Sequence, residues 1–412
     1  MTNLPQGWEV KKLEEIANIK GGKRLPKGEN LLDNNTKFTY IRVADFQDNG
    51  TINLQNIKFI NENTYNVLKN YKIYDDNLYI SIAGTIGKSG IIPKELNGAI
   101  LTENAVKLEY IQNNISNKFM YFFTLSNIFK TQIQTSTKIV AQPKLAITRL
   151  KQIQIPLPPL KEQERIVGIL DESFAKIDES IKILEQNLLN LDELMQSALQ
   201  KAFNPLKDNV KENYKLPQSW EWKSLGEIGE IITGTTPSKN NPNFYGNEYP
   251  LFKPSDLNGD IIIKYASDNL SKLGFDNARN LPKDTILVVC IGASIGKVGL
   301  SGVNGSCNQQ INAIIPNSAF TSKYLFFVCL SNYFQTILKK NASQTTLPII
   351  NKTEFSKLQI PLPPLKEQEQ IAKHLDFVFE KTKALKELYT KELKDYEELK
   401  QSLLNKAFKG EL

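Results

Sequence analysis

Residues Gln154–Glu164 read QIPLPPLKEQE, and Gln359–Glu369 repeat the stretch letter for letter. Pro156, Pro158 and Pro159 each lack a backbone donor and have a fixed φ, so they exclude a helix interior or a central strand. They bring the chain out of a globular region in extended form. Glu162 and Glu164 then set negative charge in the first turn of a helix, where the free N–H groups and the dipole favour it. Each copy is therefore read as a hinge from a globular half into a helix, and the chain as two such halves.

Outside the hinges the halves also match. Leu4–Lys27 (LPQGWEVKKLEEIANIKGGKRLPK) returns as Leu216–Lys239 (LPQSWEWKSLGEIGEIITGTTPSK). The pattern predicts a turn, a strand carrying Trp8 or Trp220, a short helix and a glycine-bearing loop. Tyr40–Phe46 aligns with Leu251–Leu257, Ile82–Lys88 (IAGTIGK) with Ile291–Lys297 (IGASIGK), and Phe119–Asn127 with Tyr324–Asn332. The last pair is expected to be a core helix rather than a platform for stacking bases.

After the first hinge, Leu170, Phe174, Ile177, Ile181, Leu184, Leu188, Leu191, Met195, Ala198 and Ala202 step by four and three, which is a heptad seam. The second copy is looser: Leu375, Phe379, Leu385, Tyr389, Leu393, Tyr396, Leu403, Ala407. Both runs close on Lys-Ala-Phe. A helix with such a seam needs a partner, and each helix offers itself to the other. The expected class is α+β, with two homologous mixed α/β domains and two long helices forming an antiparallel coiled coil. The expected boundaries are a first domain over 1–155, hinge and helix over 156–203, a linker over 204–215, a second domain over 216–360, and hinge and helix over 361–412.

The 412 residues can bury more than one core. No long apolar run or basic-apolar leader occurs, so a soluble, unexported, cytoplasmic protein with no membrane association is expected. Cys290, Cys307 and Cys329 are odd in number and form no paired motif, which predicts buried free thiols. The one histidine, His374, lies in the second helix, which speaks against a histidine-dependent or zinc centre. The net charge is +7, yet the segment 162–203 carries nine acidic and four basic residues, and 367–412 carries ten and nine. The positive charge thus belongs to the globular halves, as a protein reading a duplex at two places requires.

No catalytic constellation emerges. AGTIGKS (Ala83–Ser89) lacks the first glycine of a phosphate loop, and glycine at positive φ in a turn accounts for it. Asn241-Pro242-Asn243-Phe244 is one residue from an adenine-methyltransferase motif but has no cofactor loop with it, so it is read as a turn. Glu9-x-Lys11 and Glu221-x-Lys223 resemble half of a metal-nuclease motif without its acidic partner, and a solvated strand face fits them better. No catalytic or metal site and no cofactor is therefore assigned to this chain.

The polar loops supply candidate DNA contacts. They are Lys23, Arg24, Arg42, Lys88, Thr137 and Lys138 in the first half, and Lys239, Lys253, Lys297, Gln344 and Thr345 in the second. Arg and Lys suit guanine edges and phosphates; Gln and Thr suit adenine edges or backbone oxygens. Leu160, Glu162, Leu365 and Glu367, at the helix starts, are candidates for binding a partner protein.

Taken together, Leu-Pro-x-x-Trp-Glu opening each half, Ile-Gly-Lys in its middle, the Ile-Pro-Leu-Pro-Pro-Leu-x-Glu-Gln hinge and the Lys-Ala-Phe-Lys-Gly-Glu-Leu ending resemble the specificity subunit of type I restriction-modification enzymes. The resemblance implies a non-catalytic subunit whose two target-recognition domains read an asymmetric bipartite site in double-stranded DNA. It further implies docking of two methyltransferase subunits, which bind S-adenosylmethionine, and of restriction-translocase subunits, which use ATP and Mg. The rivals are a coiled-coil scaffold with protein-binding heads, and a methyltransferase or nuclease with an unrecognised active site.

Overall fold

The computed structural model describes residues 4–136, 144–203, 217–343 and 347–412. The chain divides into two compact units: residues 1–184 with 391–412, and residues 185–390. Each unit therefore takes a globular half and a portion of both long helices.

In the first unit, Glu9–Lys12 pairs antiparallel with Gln154–Leu157, Val10 facing Pro156. A two-stranded sheet has only edges, so the hinge prolines sit where a missing donor costs nothing. Trp8 lies just before this strand rather than within it, and the expected loop after the short helix Leu13–Ile16 begins with a further strand, Ala17–Gly21. That strand leads a four-stranded antiparallel sheet, followed by Ala105–Tyr110, Leu78–Ser81 and Ser89–Ile91. A second four-stranded sheet contains Thr39–Ile41 running parallel to Ala99–Leu101. The aromatic stretch forms helix Asn117–Leu125 and buries Phe119, Met120, Phe122 and Phe123, a core role as expected.

The second unit repeats the plan. Glu221–Ser224 pairs with Gln359–Leu362, and Ile231–Thr233 opens a five-stranded sheet. Helix Ser322–Leu330 buries Tyr324 through Cys329. The three cysteines are free and buried, and burial pushes the Cys290 thiol up to about 12.

The long helices span Leu160–Ala202 and Leu365–Ala407, 43 residues each, or about 64 Å at about 1.5 Å per residue. Both start two residues before the first-turn glutamate. Within the first unit they run antiparallel: Arg165 donates to the Leu412 carbonyl oxygen, and Lys400 pairs with Asp178. Within the second unit Lys386 pairs with Asp192. The first seam packs much as read, with Leu170, Ile177, Leu184 and Leu191 buried. The second seam differs. Leu385 is 38% exposed, whereas Thr382 is buried. The four-three register runs from Leu375 and Phe379 through Thr382, Lys386 and, farther on, Lys400, so polar residues occupy positions expected to be apolar. The two lysines keep their heads on Asp192 and Asp178 while their stems cover the seam.

The Lys-Ala-Phe endings become plugs. Phe203 lies in the core of the second unit, its ring edge-to-face with Tyr324 at 5.8 Å. Phe408 lies in the core of the first, 5.1 Å from Phe119 and 5.4 Å from Phe123. Each globular half is thus closed by the end of the helix that follows the other half.

The hinge glutamines make the same contacts in both copies. Gln163 is buried; its Oε1 accepts from the Ser116 N–H, and its Nε2 donates to the Asn114 and Pro158 carbonyls. Gln368 makes the same set with the Thr321 N–H and the Ala319 and Pro363 carbonyls. One side chain ties hinge, helix start and aromatic helix together, and its three partners are backbone groups in fixed positions.

Candidate nucleic-acid interface

In the first unit four segments meet at the turn Thr102-Glu103-Asn104. Gly22 donates to the Ala105 carbonyl and Lys23 to that of Leu101. Thr102 donates to the Ile41 carbonyl, and Ile82 to that of Asn104. Leu145 in turn donates to Ile82. The second unit builds the same junction at Asn308-Gln309-Gln310. Gly234 donates to Ile311, Asn308 to Phe252, Cys290 to Gln310, and Ile350 to Cys290. The pairing sets Ile82 opposite Cys290, one residue off the register read from Ile-Gly-Lys, because the turn from Val289 to Gly296 is one residue longer than that from Ser81 to Gly87.

A Cβ on Gly22 would stand 2.1 Å from the Thr102 oxygen, and one on Gly234 2.2 Å from that of Asn308. Only glycine lets these strands close. The Ile-Gly-Lys turns connect antiparallel strands, with Gly87 at φ 88° and Gly296 at φ 92°, so no helix follows them as a phosphate loop requires.

The candidate side chains divide by what holds them. Arg24 is 80% exposed, and its Nε donates to Glu103 Oε1 at 2.7 Å. Burial raises the Glu103 carboxyl, but hydrogen bonds from Arg24, its own backbone and Thr102 outweigh it and hold the pKa below the ordinary carboxylate value. Lys23 lies over the Tyr71 ring, and the Tyr40 hydroxyl donates to the Lys23 carbonyl at 2.8 Å. Lys88 pairs with Asp48 at 2.7 Å. Lys239 and Lys297 are exposed; the Lys297 ammonium lies 3.4 Å from the Pro254 carbonyl.

Arg42 and Lys253 are committed elsewhere. The Arg42 guanidinium meets both oxygens of buried Asp45 and donates to the Asn56 carbonyl at 2.9 Å. Lys253 pairs with Asp268. In both units the backbone N–H at this position donates to an aspartate three residues on, Asp45 at 2.7 Å or Asp256 at 2.8 Å. The shared slot is a turn; a base contact by Arg42 requires its bidentate edge to leave Asp45. Thr137, Lys138, Gln344 and Thr345 lie outside the described residues.

Sequence reasoning missed Glu103 and Gln309, the side chains at the centre of each junction. Thr236 donates to Gln309 Oε1 at 2.8 Å, as Arg24 does to Glu103. These partners stand 79 and 73 residues apart in sequence, so no local pattern announces them.

At the helix starts, Glu162 receives both guanidinium arms of Arg165, and Glu367 accepts from the Trp220 indole at 2.9 Å. Leu160 is half-buried and Leu365 is 46% exposed. Glu9 and Glu221 pair with Lys11 and Lys223 on solvated strand faces, and Asn241 caps a short turn over Pro242–Phe244. Among the described residues no group of His, Cys, Asp and Glu side chains is placed to hold a metal ion, and no helix is long and apolar enough to cross a membrane.

Two copies of one α/β module, each with a loop junction and joined to paired helices, define a repeated recognition protein. The chain belongs to the family of the type I restriction modification DNA specificity domain, whose model matches residues 5–189 and 217–395. It is 33% identical over 200 residues to the type I restriction enzyme HindI specificity subunit of Haemophilus influenzae, a match covering 48% of this chain and 42% of that protein. The putative type I restriction enzyme MjaX specificity subunit of Methanocaldococcus jannaschii is 23% identical over 427 residues, covering 99% of this chain and 94% of that one. A solved structure from a study of type I R-M complex assembly shares the fold over the whole of both chains, with a TM-score of 0.80 at 22% identity.

Proposed function

We propose that this chain is the non-catalytic specificity subunit of a type I restriction-modification enzyme and reads an asymmetric, bipartite site in double-stranded DNA. The observation that carries the reading is the loop junction built twice on one backbone plan with different side chains at its tip, exposed Arg24 on half-buried Glu103 in one unit and exposed Thr236 and Gln309 in the other. Equal scaffolds with unequal tips suit two half-sites of different sequence. The net positive charge outside the helices supports a polyanionic partner. Chemistry is then left to partners: methyltransferase subunits carrying S-adenosylmethionine, and restriction-translocase subunits using ATP and Mg. Exposed Leu365 and half-buried Leu160, at the helix starts, are the part of the surface assigned to the methyltransferases. The complex works in the cytoplasm, where the DNA is.

The test is reconstitution. The chain with its methyltransferase partner is expected to methylate adenine in one bipartite motif, and the chain alone to transfer no methyl group. Methyl transfer by the chain alone, free of partner, would overturn the reading.

A further inference from the structure

The backbone hydrogen bonds donated by Gly22, Thr102, Ile82 and Leu145 recur at Gly234, Asn308, Cys290 and Ile350, while the tips offer different side chains. Arg24 spends Nε on Glu103, leaving its two terminal nitrogens at a side chain 80% exposed. Glu103 is itself held, accepting from the Thr102 hydroxyl at 3.0 Å. A carboxylate in contact with the guanidinium repels phosphate but fixes the plane of the fork, which favours a base edge over the DNA backbone. In the second unit, Thr236 fixes the Gln309 amide by donating to Oε1, so Nε2 remains as donor while Oε1 keeps a second lone pair. Gln309 and Thr236 are both exposed.

We infer that Arg24–Glu103 and Thr236–Gln309 are equivalent base-reading pairs, Arg24 recognising guanine in one half-site and Gln309 adenine in the other. The inference rests on the DNA-reading function proposed above. Two terminal guanidinium donors match the O6 and N7 acceptors of guanine; one amide donor and one acceptor match N7 and the N6 amino group of adenine. Glu103 and Thr236 act as positioning residues, since each touches the reader and fixes its orientation. The pairs lie at the surface, where such contacts add little to stability, so the side chains can be exchanged without unfolding the unit.

The experiment uses the full-length chain reconstituted with its methyltransferase partner and a DNA library randomised across both half-sites. Arg24→Ala is expected to lose preference at one G·C pair in one half-site by about five- to 150-fold, with the other half-site unchanged. Gln309→Ala is expected to do the same at one A·T pair of the other half-site. The double replacement Arg24→Thr with Glu103→Gln transplants the second pair into the first unit and should move the selected base from G·C toward A·T. Circular dichroism and thermal melting of each purified variant, unchanged from the parent, show that both units are folded. Loss by one common factor on every sequence would make these residues phosphate contacts and overturn the inference, as would an unaltered base preference. A parent complex that selects no sequence would overturn the DNA-reading function itself, an outcome distinct from a parent that selects and variants that do not differ.

Discussion

At the scale of single residues, charge in this chain does two jobs, and partners tell them apart. Arg42 is held on Asp45, whose side chain is 1% exposed, so Arg42→Ala would strand a buried carboxylate with fewer donors. A loss of about 3 kcal/mol of stability is expected in urea melts; a variant as stable as the parent would show that the pair does not hold the turn. Lys253 does similar work on Asp268, whose carboxyl the Lys253 hydrogen bond holds below its ordinary value of 3.8. A depressed folded pKa means that the pair stabilises fully above that value, and that its contribution disappears as pH falls through the folded pKa. The stability gap between the parent and Lys253→Ala should therefore be widest near neutrality and narrow as pH falls below 3.8. Thermal melts across that range test it, and a gap that widens in acid would contradict the assignment. The aspartates that cap both turns, three residues after Arg42 and Lys253, were visible in the sequence as Arg-Val-Ala-Asp and Lys-Pro-Ser-Asp.

At the scale of elements, the repeated hinge was legible, but for an incomplete reason. Its prolines and glutamates announce an extended exit and a helix start, and both are present. The hinge also carries the buried clasps of Gln163 and Gln368, which a reading by charge passes over because glutamine is neutral and usually solvated. Gln163→Ala should leave the Ser116 N–H and two carbonyls without their partner, at a cost of about 1–3 kcal/mol per buried group. Gln163→Glu should also destabilise, since a carboxylate accepts from Ser116 but has no donor for the carbonyls. Hydrogen exchange at helix Asn117–Leu125 reads this locally, and unchanged protection would dismiss the clasp. The second seam departs from the expected apolar list for a related reason: Thr382, Lys386 and Lys400 continue its four-three register but are polar, whereas apolar Leu385 falls beside it. Strand Ala17–Gly21 was missed because its short apolar-polar alternation runs straight into the two glycines, which look like a loop until Ala105–Tyr110 is there to pair with it.

At the scale of the whole molecule, the repeat suggests that a recognition half can be replaced, and the packing states the conditions. Substituting residues 4–153 by the equivalent half of a related specificity protein keeps the hinge and both helices. The incoming half must still receive Phe408, which lies against Phe119 and Phe123, and must still present a backbone N–H to Gln163 where Ser116 does. A donor with aromatic residues at the first two positions should give a soluble chain, whereas one with small residues there should leave a cavity beside Phe408. Truncating a buried phenylalanine costs about 3–5 kcal/mol, a large part of the stability of a unit this size. In the compatible exchange, the junction at Asn308-Gln309-Gln310 keeps every backbone partner it has now, because all of them come from the second unit. Sequencing of methylated adenines after reconstitution should then show one half-site replaced and the other retained. If a folded, compatible exchange altered both half-sites, each junction would depend on residues beyond its own unit, and the assignment of one half-site to one unit would fail.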